Sequence, residues 1–144
     1  GLLGMAHTLP GVNMYTHGTL VTAMHGHLAF WGAYGMIVLA FISYSMPNLT
    51  GRKYYDSNAG LLAFWLSNIG MVGMTVAFGV AGVAQVYLER KVGLDFGDVQ
   101  KEIQVHFAVL AVCATFFTTG IGFYIYEFIK YGTPNDEALE KIAS

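Results

Sequence analysis

The sequence predicts an all-α integral membrane protein whose three transmembrane helices form part of a larger helical bundle. Charge content and charge placement carry that prediction. Charged residues make up 11% of the 144 positions, against roughly 25% in soluble domains. No Asp, Glu, Lys or Arg precedes Arg52, none lies between Asp56 and Glu89, and none between Glu102 and Glu127. Each uncharged run exceeds the ~20 residues that cross a ~30 Å hydrocarbon core. Only helices satisfy every backbone group within one such segment.

Residues 1–19 read as the end of an earlier helix followed by an extramembrane connection, because Pro10, Gly11 and Asn13 interrupt helix there. The first span covers residues 20–46 and stops at Pro47. Asn48 and Gly51 continue the turn, and the loop that follows holds Arg52, Lys53 and Asp56. The second span covers residues 60–88. A charged loop, residues 89–102, leads to the third span at residues 103–131, where Gly132 and Pro134 end it. Residues 132–144 form a polar tail.

Arg52, Lys53, Lys130 and Lys141 fall on one side of this topology, and Arg90, Lys91 and Lys101 on the other. That small excess leans towards a cytoplasmic first loop and tail. Pairs of small residues, Ala29 with Ala33, Thr75 with Gly79 and Ala77 with Ala81, permit close helix approach. Asn68 and Gln85, lone polar residues in the second span, suit helix-to-helix hydrogen bonds. Glu127 and Lys130 suit a snorkelling interfacial pair.

A net charge of -2 argues against nucleic acid as a partner, since there is no basic patch to neutralise phosphates. The single cysteine, Cys113, lies in an apolar run and reads as a buried, inert thiol. No basic segment or small-residue cleavage site precedes the first apolar run, which argues against a secretory signal. A start at Gly1 suggests a fragment or a processed chain.

The informative stretch is residues 16–34, THGTLVTAMHGHLAFWGAY. His25 and His27 are two positions apart, so at about 100° per residue they leave a helix on roughly opposite sides. They cannot chelate one metal together, as an i, i+4 pair can. Each can instead serve a separate centre, with the helix standing between the two. The competing reading places both at the membrane interface, bonded to water or carbonyls. Histidine is costly in a membrane helix, and Ala23, Gly26 and Ala29 leave a flat, uncrowded wall around this pair. Both facts favour cofactor ligands, and haem sites are readily built between helices.

That stretch, continued by ISYSMP, resembles the C-terminal three-helix portion of the large (cytochrome b) subunit of bacterial nitric oxide reductases, within the haem–copper oxidase superfamily. The resemblance extends over the whole chain, and Gly26 between the histidines fits the reductase branch. It implies that His25 is the proximal ligand of a catalytic high-spin haem b, and that His27 is one axial ligand of a low-spin haem b. It implies reduction of nitric oxide to nitrous oxide in the bacterial inner membrane, with a c-type cytochrome subunit or quinol as electron donor.

The family also uses a non-haem iron held by three His and a Glu, and a second axial His for the low-spin haem. His7, His17, His106 and Glu127 do not match that cluster, so the remaining transmembrane helices of a parent chain or companion chain would supply it. His17 reads as a solvated loop residue or a haem-propionate partner. His106 reads as structural or as a propionate or water contact, and His7 as structural. Trp31, Tyr34, Phe30, Trp65, Phe116 and Phe117 are ordinary packing or interface aromatics, any of which could line a pocket. Asp95, Asp98 and Glu102 are explained by loop solvation. Two other functions stay open: an oxygen-reducing haem–copper oxidase subunit, or a non-catalytic membrane scaffold with structural histidines.

Overall fold

A computed structural model describes residues 1–50, 58–131 and 140. The first loop from Gly51 to Ser57, the stop at Gly132 and Pro134, and nearly all of the tail lie outside the described residues. The order is α1 (Leu2–Thr8), α2 (Pro10–Thr16), α3 (Leu20–Ala29), a π-helical turn (Phe30–Gly35), α4 (Met36–Thr50), α5 (Asn58–Tyr87), a second π-helical turn (Leu88–Val92) and α6 (Phe96–Tyr131). Among the described residues there is no strand. Three apolar helical stretches, Leu20–Thr50, Asn58–Val92 and Phe96–Lys130, are long enough to cross a membrane. The protein is an all-helical integral membrane protein.

Helix ends differ from the sequence expectation in physically simple ways. Pro47 lies inside α4, which continues to Thr50. A proline removes one amide donor but keeps its carbonyl. Here Asn48 Nδ2 donates to the Tyr44 carbonyl at 2.9 Å and Thr50 Oγ1 donates to Met46 at 2.8 Å. Side chains thus take up carbonyls in the last turns. The helix does break before Pro10: α1 ends at Thr8 and Leu9 is extended, as the residue before a proline favours. Pro10 then starts α2, where its missing N–H is not needed, and Gly11 and Asn13 continue that helix.

The second connection is also shorter than hydropathy suggests. Gly93, at φ +82°, adopts the left-handed conformation that closes a helix, and the Leu94 N–H reaches back to the Leu88 carbonyl at 3.1 Å. Helix resumes at Phe96 and carries Asp98, Lys101 and Glu102 on its first turns. Val99 and Ile103 on those turns are almost fully buried. Hydropathy marks the apolar segment, whereas the helix starts earlier, on turns that are charged outside and buried at Val99 and Ile103.

The α5 helix sits at the centre. In its most apolar window 39% of residues are buried, against 6% for each of the other two spans. Its buried positions Ala63, Ser67, Gly70, Met74, Ala77, Ala81 and Gln85 recur three or four apart, a seam that suits left-handed helix packing. Ala77 and Ala81 belong to this seam as their spacing suggests. Ala29 and Ala33 lie outside this seam, Ala33 on an exposed face of the π-helical turn.

Where α5 meets α6 there is no room for a side chain at two glycines. A Cβ on Gly70 would strike the Phe117 backbone amide and lie 2.7 Å from the Cys113 carbonyl oxygen. One on Gly120 would lie 2.5 Å from the Ser67 amide nitrogen. Substituting Gly70→Val is therefore expected to destabilise the bundle by at least about 1–3 kcal/mol, the ordinary cost of overpacking. Gly122→Val, where a Cβ meets nothing within 4 Å, is the control. Thermal unfolding in detergent checks both. Equal melting of the two variants would refute this packing.

Trp31, Met71 and Met74 form the apolar core, with Leu39, Phe78, Leu110, Cys113 and Phe117 packed against it. Cys113 is partly buried there, against Gly73. Large apolar side chains such as Ile37, Phe41, Val105 and Ile129 stay exposed on the outer faces. Lipid or further helices of a larger bundle cover such surfaces in a membrane protein. Glu127 is buried within the protein, only 2% exposed. The Lys130 ammonium lies 5.5 Å from the centre of the Tyr126 ring.

Candidate functional site

Both sequence-nominated histidines stand on α3. The chain reaches them through a tight entry: Gly18 takes φ +73°, and the Thr19 and Thr22 hydroxyls both donate to the Thr16 carbonyl at 2.7 Å. From Leu20 the helix is regular, so positions 25 and 27 diverge. His25 faces α1, where its ring stacks on His7 with centroids 5.5 Å apart. His27 faces α5, with its ring 4.9 Å from Phe78.

The His27 ring is held in a useful state. Its Nδ1 lies 2.8 Å from the Ala23 carbonyl oxygen. A carbonyl only accepts, so Nδ1 carries the proton and donates. In the neutral ring Nε2 then keeps its lone pair, the form in which histidine binds a metal.

An apolar cavity of about 650 Å³ adjoins it, lined by His27 with Gly26, Trp31, Gly35, Phe117 and Ile121 among others. That volume lies within the ~300–1,000 Å³ typical of cofactor and ligand sites. The π-helical turn that follows α3 shapes this wall. It carries Trp31 inwards, where the indole N–H donates to Asn68 Oδ1 at 3.3 Å and the ring meets Phe117 edge-on at 4.9 Å. Gly35 leaves space for that indole: a Cβ there would lie 2.7 Å from it. The donor nitrogen, the flat glycine wall and the apolar lining fit a haem on this side.

The His25 side is closed in this structure. A Cβ on Gly4 would lie 3.0 Å from His25 Nε2, so α1 covers the nitrogen that would bind iron. His7 is held by its own bond: Thr16 donates its hydroxyl to Val12 at 3.1 Å, leaving its oxygen to accept from His7 Nδ1 at 3.0 Å. No residue of α1 is buried, so the helix is lightly held. His25 fits a haem only with α1 displaced.

The other candidates stand apart from this pair. His17 is exposed at the end of α2, and His106 Nδ1 lies 3.2 Å from the Ile103 carbonyl on α6. Tyr34, Trp65 and Phe116 are exposed, whereas Trp31 is buried and lines the cavity together with Phe30 and Phe117. Among the described residues no three His, Cys, Asp or Glu side chains converge as a metal site would require. The π-helical turn leaves no period in the sequence that could have revealed it. Asn68 and Gln85 are the interhelical hydrogen bonders that their isolation suggests. Gln85 Oε1 accepts from the Leu20 N–H at 2.9 Å.

Comparison with known proteins places the chain in a family. The model for Cytochrome C and Quinol oxidase polypeptide I matches residues 1–119. A nitric oxide reductase subunit of Stutzerimonas stutzeri is 39% identical over 140 residues, covering 92% of this chain and 30% of that protein. The chain therefore spans about 30% of the length of the relative it matches.

Proposed function

The chain belongs to the cytochrome c and quinol oxidase polypeptide I family, and from that premise we propose that it is the haem-binding portion of a respiratory nitric oxide reductase. His27 is one axial ligand of a low-spin haem b, and His25 is the proximal ligand of a high-spin haem b. The observation that carries this reading is the placing of two imidazoles on opposite sides of one helix, with His27 Nδ1 tied to Ala23 beside the cavity.

When bound, the haems supply electron transfer and an iron site for substrate. The chain's own part is to hold and orient. The Ala23 carbonyl fixes the His27 tautomer, Gly26 gives a flat wall, and Trp31 with Phe117 supplies an apolar lining on that side. His25 would hold the high-spin haem through Nε2, the atom that α1 covers at Gly4 in this structure. Further helices of the large subunit supply the other axial ligand and the non-haem iron site. A c-type cytochrome or quinol supplies electrons, in the bacterial inner membrane. Two nitric oxide molecules, two electrons and two protons give one nitrous oxide and one water.

The test is gas analysis on the assembly purified intact from native membranes and supplied with a reduced electron donor. Nitrous oxide formed at one molecule per two of nitric oxide consumed is expected. Reduction of oxygen with no nitric oxide turnover would overturn the reading in favour of an oxidase.

A further inference from the structure

We propose that Gln85 is a positioning residue: it caps the histidine helix from a neighbouring span and fixes the rotation at which His25 and His27 leave it. The first amides of any helix lack partners within it. Thr19 stands at the position that usually caps them, but its hydroxyl points back to Thr16 and caps nothing in α3. Gln85, 65 residues away and 3% exposed, does so instead, its Oε1 accepting from the Leu20 N–H at 2.9 Å. The same amide's Nε2 donates to Glu89 Oε1 at 2.9 Å. Both ends of the Gln85 side chain are thereby committed, and Glu89 on the π-helical turn holds it in place.

The contacts around this bond show why it decides the rotation. Gly82, three residues before Gln85, lies so close to the start of α3 that a Cβ there would strike the Val21 amide and lie 2.8 Å from the Leu20 carbonyl carbon. Gly79 faces Met24, 2.9 Å from its sulfur by the same measure, and Phe78 meets the His27 ring. One face of α5 therefore follows α3 from Leu20 to His27. The glycine and methionine contacts are van der Waals surfaces that allow α3 to turn about its axis. The Leu20–Gln85 hydrogen bond is directional and does not; it holds the entry end of the span, as the longer Trp31–Asn68 bond holds the far side of the histidines. His25 and His27 lie within two turns of it on a rigid helix, so a turn at Leu20 reaches both imidazoles.

This inference rests on the ligand roles proposed above, and the experiment separates the two. The intact assembly is compared as wild type, as Gln85→Leu, and as the double variant Gln85→Glu/Glu89→Gln. The double variant keeps an acceptor for Leu20 and reverses the second hydrogen bond without changing net charge. Hydrogen exchange across residues 20–23 and the ferric low-spin haem resonance are both read.

Gln85→Leu is expected to speed exchange there by roughly tenfold, since it leaves a part-buried donor unsatisfied, and to shift the haem resonance. The double variant is expected to keep both at wild-type values. Unchanged exchange in Gln85→Leu would overturn the cap. Faster exchange with an unmoved resonance would reduce Gln85 to a structural residue and overturn positioning. Should Gln85→Leu fail to assemble, a double variant that loses exchange protection or shifts the resonance overturns the proposal. Retention of the low-spin signal in His27→Ala would instead sink the ligand role while leaving the exchange result standing.

Discussion

Replacing His27 with alanine is expected to remove one haem from the assembled protein and leave the other in place. The haem lost is the low-spin one. His27 presents Nε2 beside an apolar cavity, and its Nδ1–H is committed to the Ala23 carbonyl at 2.8 Å. Alanine removes the donor nitrogen and supplies no substitute. Among the other lining residues only the Met71 thioether could ligate iron, and it is packed into the core with Trp31 and Met74; Phe30, Phe117, Ile121, Ala23 and the glycines carry no ligand atom. Even an outer-shell partner of a metal is worth about 10–100-fold in affinity, so loss of the ligand itself should empty the site. Fold should survive, since His27 is exposed in the three-helix assembly and its nearest aromatic contact, Phe78, keeps its packing in the core. Pyridine haemochrome assay and the visible spectrum of the purified assembly measure this. A variant that kept two haems per copy would refute the assignment.

His25→Ala is expected to have the complementary effect: turnover falls by more than about a hundredfold, the upper range for a disturbed metal centre, while low-spin spectral features persist. The separation follows from geometry. His25 and His27 point to different neighbours, α1 on one side and α5 on the other, so loss of one imidazole leaves the other's surroundings intact. Steady-state nitric oxide consumption and the reduced spectrum, taken on the same sample, check the two halves. Simultaneous loss of both haem signals would mean that α3 carries one shared site.

The three spans were legible because charge is excluded from lipid, and the uncharged gaps between Asp56 and Glu89 and between Glu102 and Glu127 mark them directly. The opposed histidines were legible too, since helical periodicity alone separates positions 25 and 27. Asn68 and Gln85 announced themselves as isolated polar residues, but not which partner each would take. Their partners, the Trp31 indole and the Leu20 amide, depend on how the helices cross.

Helix ends were less legible, because proline and charge act locally while helix continuation depends on whether freed groups find partners. Pro47 is tolerated where Asn48 and Thr50 bond nearby carbonyls. Asp98 and Lys101 extend α6 as an exposed ion pair at 2.7 Å. The π-helical turn that brings Trp31 to the cavity, the burial of Glu127 and the covering of His25 by Gly4 are all products of tertiary packing. No periodicity encodes them.

The most direct test is a reduced-minus-oxidised optical spectrum, with haem quantified, on the assembly isolated intact from native membranes. The account predicts two b-type haems per copy of this chain, one low-spin and one high-spin. Absence of haem in that preparation would contradict it and leave a three-helix scaffold whose histidines bind no iron.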